Sequence, residues 1–598
     1  MTLRAPILLS TSIVTDDEFT GARLSSALGK RGHYLPLFDG PRLTREDAVA
    51  EVLRRINALA RVNAKRVILT GLSDEQDAEL AKQLPPKYIT RCAVDDVQAL
   101  ADTPRSAKER LNWGRRNIGA GLLKALYAGQ LIEFCDDAPT DAATPGKTGH
   151  LVVCEAGEPL SEVIAANYAH ALGAGLAIIP AVDEVDADHL MEGYYSSENA
   201  YERSQLQAKL RALCGDLAIP REGSLTFFSR KLPFGVGFPE LPSTHLPTYP
   251  DCGIPVANGF AAEQPSTRGV NVAVLVDPEK TDAPEIAAAA KILPKRSVFV
   301  RGYTGAAANV RNITDMVEYF PYDLLLFATH CGDAPGWRWT YKFTDSEGIN
   351  RTLIVDVAIG VGHTDDPDIF EVMQFNYFHS LDGVPWNDQV AKAGHYIGTA
   401  MNDWSQRTQE NKLEPVSKEP LNRVRSSAAM AMHDNNYLPM PVNLADRGSP
   451  IIINNACVSW HELARRYTFG NARAYVGTLY PVLPFEAESV AVQLLDKHWG
   501  KWLPHALWLA QRGTYGKNDQ RRPYVMTGVY TQKLRATQEN VPLRIMRRLW
   551  KGRTDWAKRL EQAPVGTPKQ RLQRGADFYR VEADAFRAKW FSKSFKAD

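Results

Sequence analysis

Short apolar runs alternate with stretches of helical spacing along most of this chain. Near the N-terminus PILLS (6–10) reads as a strand, TREDAVAEVLRRINALARV as a helix with Thr44 as N-cap, and RVILTGLSD (66–74) as a second strand. In that helix Val49, Val52, Leu53, Ile56 and Ala60 fall on one face. HLVVCEAG and LGAGLAIIPAVDE, joined by the helical SEVIAANYAHAL, carry the rhythm to residue 230. Such a βαβ succession predicts an open parallel sheet with its ligand loops at strand C-termini. Two spans interrupt it. Residues 136–148, rich in Asp, Ala, Thr and Pro, read either as a linker that divides an N-terminal α/β region, 1–230, into two subdomains or as an exposed crossing within it. Residues 231–269 are rich in proline, which fixes φ and removes donors, so they are expected to form no regular element and to mark the principal domain boundary.

From Val270 the alternation resumes in NVAVLVD, APEIAAAAKIL, SVFVRG and AAANVRNITDMVEYF, and a third strand, YDLLLFATHCG, ends in His330. Much later SPIIINNACVSWHELARRY predicts a buried strand at residues 451–453, and Ser459 to Glu462 spells a capping box that opens a helix. Cys457 is thereby expected at a strand end just before a helix N-terminus, whose partial positive charge favours the thiolate. Parallel strands present their C-termini on one edge, so His330 and Cys457 can meet there. Histidine serves as base for a thiol and as acid for a leaving amine. Backbone N–H groups of Cys457 and of Gly332 or Cys331 are candidate oxyanion donors. Position alone leaves the alternative that Cys457 is a small buried hydrophobe and His330 structural. His461 is a second candidate base, less well aligned because it lies a helical turn beyond Cys457. Glu155, Asp183 and Glu184 sit at strand ends, where carboxylates either line a site or cap turns.

Composition narrows the picture. A chain of 598 residues is too long for one core, so about two to four domains are expected. With 44% hydrophobic and 23% charged residues it is an ordinary globular chain, and its net charge of +1 gives no global argument for nucleic acid or membrane. The seven cysteines lack CxxC or CxH spacing, which speaks against zinc and against a disulfide framework. The apolar run at the start is too short for a signal sequence, and no stretch reaches the length of a transmembrane helix. A reducing, cytoplasmic setting is inferred. NIGAGLLKAL (117–126) lacks both phosphate-binding glycine spacings, leaving nucleotide binding or plain helix packing.

Four segments together resemble the CHAT domains of the caspase-like cysteine peptidases, relatives of caspases and separase. DLLLFATHCG is similar to that family's strand ending in the catalytic histidine, and IIINNACVS to its strand ending in Ala-Cys. ARAYVGTLYPVLPFEAESVAVQLL resembles the strand and helix that follow the cysteine, and LPHALWLAQR with RPYVMTGVY resembles the late helix and closing strand. The resemblance implies a C-terminal caspase-like α/β sandwich over 270–540, preceded by a Rossmann-like or pseudo-caspase-like α/β region. It implies Cys457 as nucleophile, His330 as general acid/base, peptide-bond cleavage through a thioacyl intermediate, and neither cofactor nor metal. The partners implied are a protein substrate and an activating protein or complex from the same operon, in a prokaryotic immune or cell-death (antiviral defence) response. No membrane is implied, and nucleic acid only indirectly. Gly332 carries over less directly, because Cys331 intervenes after the histidine, either as spectator or as redox-sensitive neighbour.

The chain departs from the family in an insertion at 340–448, which begins with a hairpin turning at residues 346–350 and continues as short helices and loops. An insertion beside an active site reads as a lid or regulatory loop, one that gates the cleft or is itself cut on activation. His363, Asp365, Asp366 and Asp368 form either a cation site or a solvated turn. Asp345, Glu486 and Glu488 are candidates for an acidic specificity pocket, none of them placed by a motif. The tail, 541–598, holds 15 Lys+Arg against 6 Asp+Glu and reads as basic amphipathic helices. Such helices bind a partner, an acidic surface or nucleic acid, or else cap the catalytic domain with Trp550, Trp556 and Trp590. The rival readings are a non-catalytic caspase-like scaffold or ligand sensor, and a nucleotide-using N-terminal half.

Overall fold

The computed structural model describes residues 3–43, 48–92, 109–265, 269–363, 370–441, 443–446, 448–516, 521–536, 541–563 and 569–591. The protein is α/β. A small parallel sheet comes first, from β1 (Thr11–Val14), β2 (Leu37–Phe38), β3 (Arg66–Leu69) and β4 (Ile89–Arg91), in the order β2-β1-β3-β4, with helices α1 (Glu18–Leu28), α2 (Ala48–Arg61) and α3 (Asp74–Gln83). The apolar face expected of α2 is not the one it buries. Val49 is 75% and Leu53 44% exposed, whereas Glu51, Arg54 and Arg55 are buried. An ion-pair network with Asp39, Arg42 and Asp251 compensates their desolvation; Arg55 lies 2.7 Å from Glu51 and 2.8 Å from both Asp39 and Asp251. The expected cap, Thr44, lies outside the described residues. In the following α4 (Ile118–Ala128), Gly119 lies against Glu162 and Gly121 against the Trp113 ring, so the glycines serve helix packing.

The second half of the N-terminal region supplies β5 (Ala143–Thr144), β6 (His150–Glu155), α5 (Ser161–Leu172), β7 (Gly175–Ile179), α6 (Glu184–Ser196), α7 (Ala200–Leu213) and β8 (Ser224–Ser229). The proline-rich span 231–269, expected to be irregular, instead contributes β9 (Ser243–Pro247) and the fully buried α8 (Gly253–Ala262). Pro242 precedes β9, Pro247 ends it and Pro255 lies in the first turn of α8, where a missing N–H is tolerated.

Beyond it run β10 (Val272–Asp277), α9 (Pro284–Lys295), β11 (Phe299–Thr304), α10 (Val310–Tyr319), β12 (Leu324–Phe327) and β13 (Cys331–Gly332). The insertion follows with β14 (Gly336–Thr344), β15 (Asn350–His363), β16 (Phe370–Leu381), β17 (Ser417–Leu421) and β18 (Ala429–Ala431). The expected hairpin forms between β14 and β15, but the stretch read as short helices and loops contains the twelve-residue β16, paired along β15 in an antiparallel sheet. The chain closes with β19 (Ile451–Asn454), α11 (His461–Phe469), β20 (Ala474–Thr478), α12 (Pro484–Val492), α13 (Leu503–Tyr515), β21 (Tyr524–Gly528), α14 (Val541–Glu561) and α15 (Gln570–Phe591).

Both regions share one eleven-stranded sheet, in the order β11-β10-β12-β19-β20-β21-β9-β8-β6-β7-β5. The seam is β9 beside β21, with His245 opposite Thr527. One face carries α9, α12 and α13 over Leu275, Leu326 and Ile453. The other carries α10, α11 and the tail helices α14 and α15, with Ile545, Leu549, Tyr579 and Phe586 in its core. The tail thus caps the domain: Trp556 meets Tyr319 at 5.2 Å between ring centroids, and the Tyr579 hydroxyl donates to the Tyr319 carbonyl at 2.7 Å. Trp550 remains 40% and Trp590 45% exposed. Among the described residues no helix is long and apolar enough to cross a membrane.

Candidate active site

The parallel pairing of β12 with β19 sets Phe327 opposite Asn454. His330 and Cys457 each stand three residues beyond that pair, at the same edge of neighbouring strands about 4.8 Å apart. The imidazole of His330 is exposed and the thiol of Cys457 half-buried. The backbone of His330 is held from the insertion: its carbonyl accepts from Ala431 N at 2.9 Å, and the Thr329 hydroxyl donates to the Ala431 carbonyl. Gly332, in β13, pairs with Ala429 of β18.

The loop carrying Cys457 is pinned by buried polar atoms. Asn454 Oδ1 accepts from Ala456 N at 3.0 Å, and its Nδ2 donates to the Tyr475 hydroxyl at 3.0 Å. Ser459 Oγ donates to the Asn454 carbonyl at 3.0 Å and accepts from Thr478 N at 3.1 Å. Thr478 Oγ1 donates to the Ala456 carbonyl at 2.8 Å, and Cys457 Sγ lies 3.8 Å from the Val482 carbonyl. The GTLYPV segment is therefore the cradle of the cysteine loop. Gly477 within it admits no side chain, since a Cβ would lie 2.9 Å from Trp460 N and 3.0 Å from Ser459 Oγ. Val458, directly after the cysteine, has φ of 53°, a left-handed conformation that costs a β-branched residue about 1–3 kcal/mol.

The capping box expected at Ser459 does not form. The Ser459 hydroxyl is taken by Asn454 and Thr478, Trp460 occupies the N-cap without a side-chain bond, and α11 begins only at His461. Cys457 is thus separated from the helix N-terminus by Val458, Ser459 and Trp460. Glu462 instead pairs with Arg465 at 2.8 Å, and although burial pushes its carboxyl up, Arg465 and the neighbouring cations hold it well below the ordinary range.

Other candidates separate into partners and bystanders. Burial, reinforced by Asp333 and Cys457, pushes the Cys331 thiol well up, which disfavours its thiolate. His461 is pushed down to about 4 by burial, and it lines both a cavity behind α11 and a small recess beside Gly332 and Val458. Asp345 caps the β14–β15 turn and holds Arg351 at 2.8 Å. Glu486 is buried and bound to Arg521 at 2.7 Å, so neither is available as an acidic pocket. Glu488 is half-buried and influences Glu285. Glu285, overlooked in the sequence, accepts from the Asn455 amide at 3.4 Å and is pushed up to about 7 by burial. Glu155 accepts from Val182 N at 3.0 Å and Arg230 N at 2.9 Å, while Asp183 caps α6. Glu184 lies 3.7 Å from Arg230. His363 ends β15 against Phe370; Asp365, Asp366 and Asp368 lie outside the described residues. No metal-binding cluster occurs among the described residues.

A cavity of about 430 Å³ lies behind α11, between the N-terminal region, the insertion and the C-terminal α/β region; Asp188, Lys231, Tyr377, Trp386, His461 and Arg466 are among its walls.

No protein-family model matches the chain, and no curated protein matches it. Among solved structures it is similar to Cwp6 from Clostridium difficile, at 12% identity over 57% of this chain and a TM-score of 0.22. The chain spans 62% of that protein's length, and a TM-score so low carries no argument about fold or function.

Proposed function

We propose that this protein is a caspase-like cysteine endopeptidase of the CHAT type, with Cys457 as nucleophile and His330 as acid and base. The observation that carries the reading is the pairing of Phe327 with Asn454, which brings the two residues to equivalent ends of adjacent strands. In the reaction His330 removes the Cys457 proton, and the sulfur attacks the carbonyl carbon of the scissile peptide. The resulting oxyanion is met by the backbone N–H of Cys457, while that of Gly332 is committed to the pairing of β13 with β18. The imidazolium returns its proton to the departing amine, leaving a thioacyl enzyme. Water, deprotonated by His330, then releases the acid and restores the thiol. By the resemblance, the substrates are one or a few partner proteins in an immune or cell-death response.

The test compares the parent with Cys457→Ala on proteins encoded beside it. Cleavage by the parent alone supports the assignment; equal cleavage by both overturns it.

A further inference from the structure

The insertion leaves β17 through Asn422, Arg423 and Val424. Val424 is fully buried, and its N–H donates to the Ala334 carbonyl at 2.8 Å, which fixes the direction of the preceding side chain. Arg423 enters a recess between α6 and the segment after β13. Its guanidinium grips both carboxylate oxygens of Glu192, with Nη2 at 3.0 Å from Oε2, and meets Asp333 Oδ2 at 2.9 Å through Nε. It stacks on Tyr195 at 3.7 Å from the ring centroid. Gly332, Arg425, Val458 and His461 are also among its walls, and about 20 Å³ is left unfilled.

Two carboxylates converging on one fork, with an aromatic face beneath it, is the chemistry that selects arginine over other side chains. The carboxylates come from different regions of the chain and the occupant from a third. Gly332 stands two residues after His330, and Val458 directly follows Cys457, so a side chain seated here belongs to a backbone lying beside the dyad. The Arg423 side chain is 32% exposed, so it can withdraw without opening a core. Arg425, 3.6 Å from Glu192, stays to balance part of the vacated charge.

We propose that Glu192, Tyr195 and Asp333 form a recognition pocket for an arginine side chain of the protein substrate, and that Arg423 fills it in the resting protein. The proposal rests on the peptidase reading for the word substrate; the pocket itself does not. A tethered occupant competes at an effective concentration on the order of millimolar, so removing it strengthens binding of a free arginine group by about tenfold or more.

The experiment uses the full chain as parent, as Arg423→Met, which keeps the aliphatic stem, as Arg423→Ala, and as each combined with Glu192→Gln. Calorimetry measures binding of N-acetyl-arginine amide and N-acetyl-leucine amide. Labelling of Cys457 by arginine- and leucine-directed peptidyl electrophiles is followed in parallel. Expected are arginine binding at least about tenfold tighter in the Arg423 variants than in the parent, its loss on adding Glu192→Gln, and no gain for leucine. Equal arginine binding in parent and both Arg423 variants, or an equal gain for leucine, overturns the pocket. Arginine binding without labelling of Cys457 supports the pocket and overturns the peptidase reading.

Discussion

Replacing Ser459 with alanine removes one oxygen from the loop that holds Cys457. Ser459, Asn454 and Thr478 are each 0% exposed, so no solvent replaces the lost bonds. Thr478 N loses its acceptor at 3.1 Å, and an orphaned buried donor costs about 1–3 kcal/mol. The bond to the Asn454 carbonyl at 3.0 Å adds about 0.5–1.5 kcal/mol. The cavity is negligible, because the Cβ stays. The bonds from Tyr475 to the Ser459 carbonyl, at 2.7 Å, and from Asn454 to Tyr475 remain, so the loss falls where the loop joins the ends of β19 and β20. Hydrogen exchange reads the outcome: the amides of Ala456 and Trp460, which bond to Asn454 Oδ1 and the Thr478 carbonyl, should exchange about tenfold faster or more. On the proposed peptidase reading, turnover should fall in parallel, because Cys457 samples displaced positions. Unchanged exchange at both amides would refute the view that Ser459 anchors the loop.

Two further outcomes follow from buried charge. Arg55→Ala strands the carboxylates of Glu51, Asp39 and Asp251 around α2 and should destabilise the protein by about 3–5 kcal/mol, measured as a shift in the denaturant midpoint; a loss below about 1 kcal/mol would mean the network adds little. Glu285 is raised from 4.5 to about 7, so its contribution to stability is full below pH 4.5 and is lost as pH rises to 7. Glu285→Gln should remove that decline and leave the variant more stable than the parent above pH 7; parallel stability curves across the window would contradict the shift.

Apolar runs located the strands that end before His330 and Cys457, since LLLF and III are continuous, too short for a buried helix and bounded by turn residues. They also marked the helices that cover the sheet. Strand adjacency was not legible: β12 and β19 are separated by the whole insertion, and their pairing is fixed by packing between distant segments. Nor was the sharing of one sheet by both regions, because β9 is five residues long and bracketed by prolines, and only its place between β8 and β21 makes it a strand. The α2 helix shows the same limit from the other side, for its buried arginines are stable there only because Asp251 arrives from far along the chain. Ser459 is the clearest case at the site. Its sequence context satisfies a capping box, but the hydroxyl can serve one set of partners, and the neighbouring strand claims it first. The sequence by itself determined which residues could do chemistry and at which strand ends. Tertiary structure alone decided that those ends are adjacent, that Gly477 and Thr478 cradle the cysteine loop, and that Arg423 lies between Glu192 and Asp333. The reason is physical: periodicity encodes burial within a segment, while hydrogen bonds and ion pairs between segments depend on which surfaces meet.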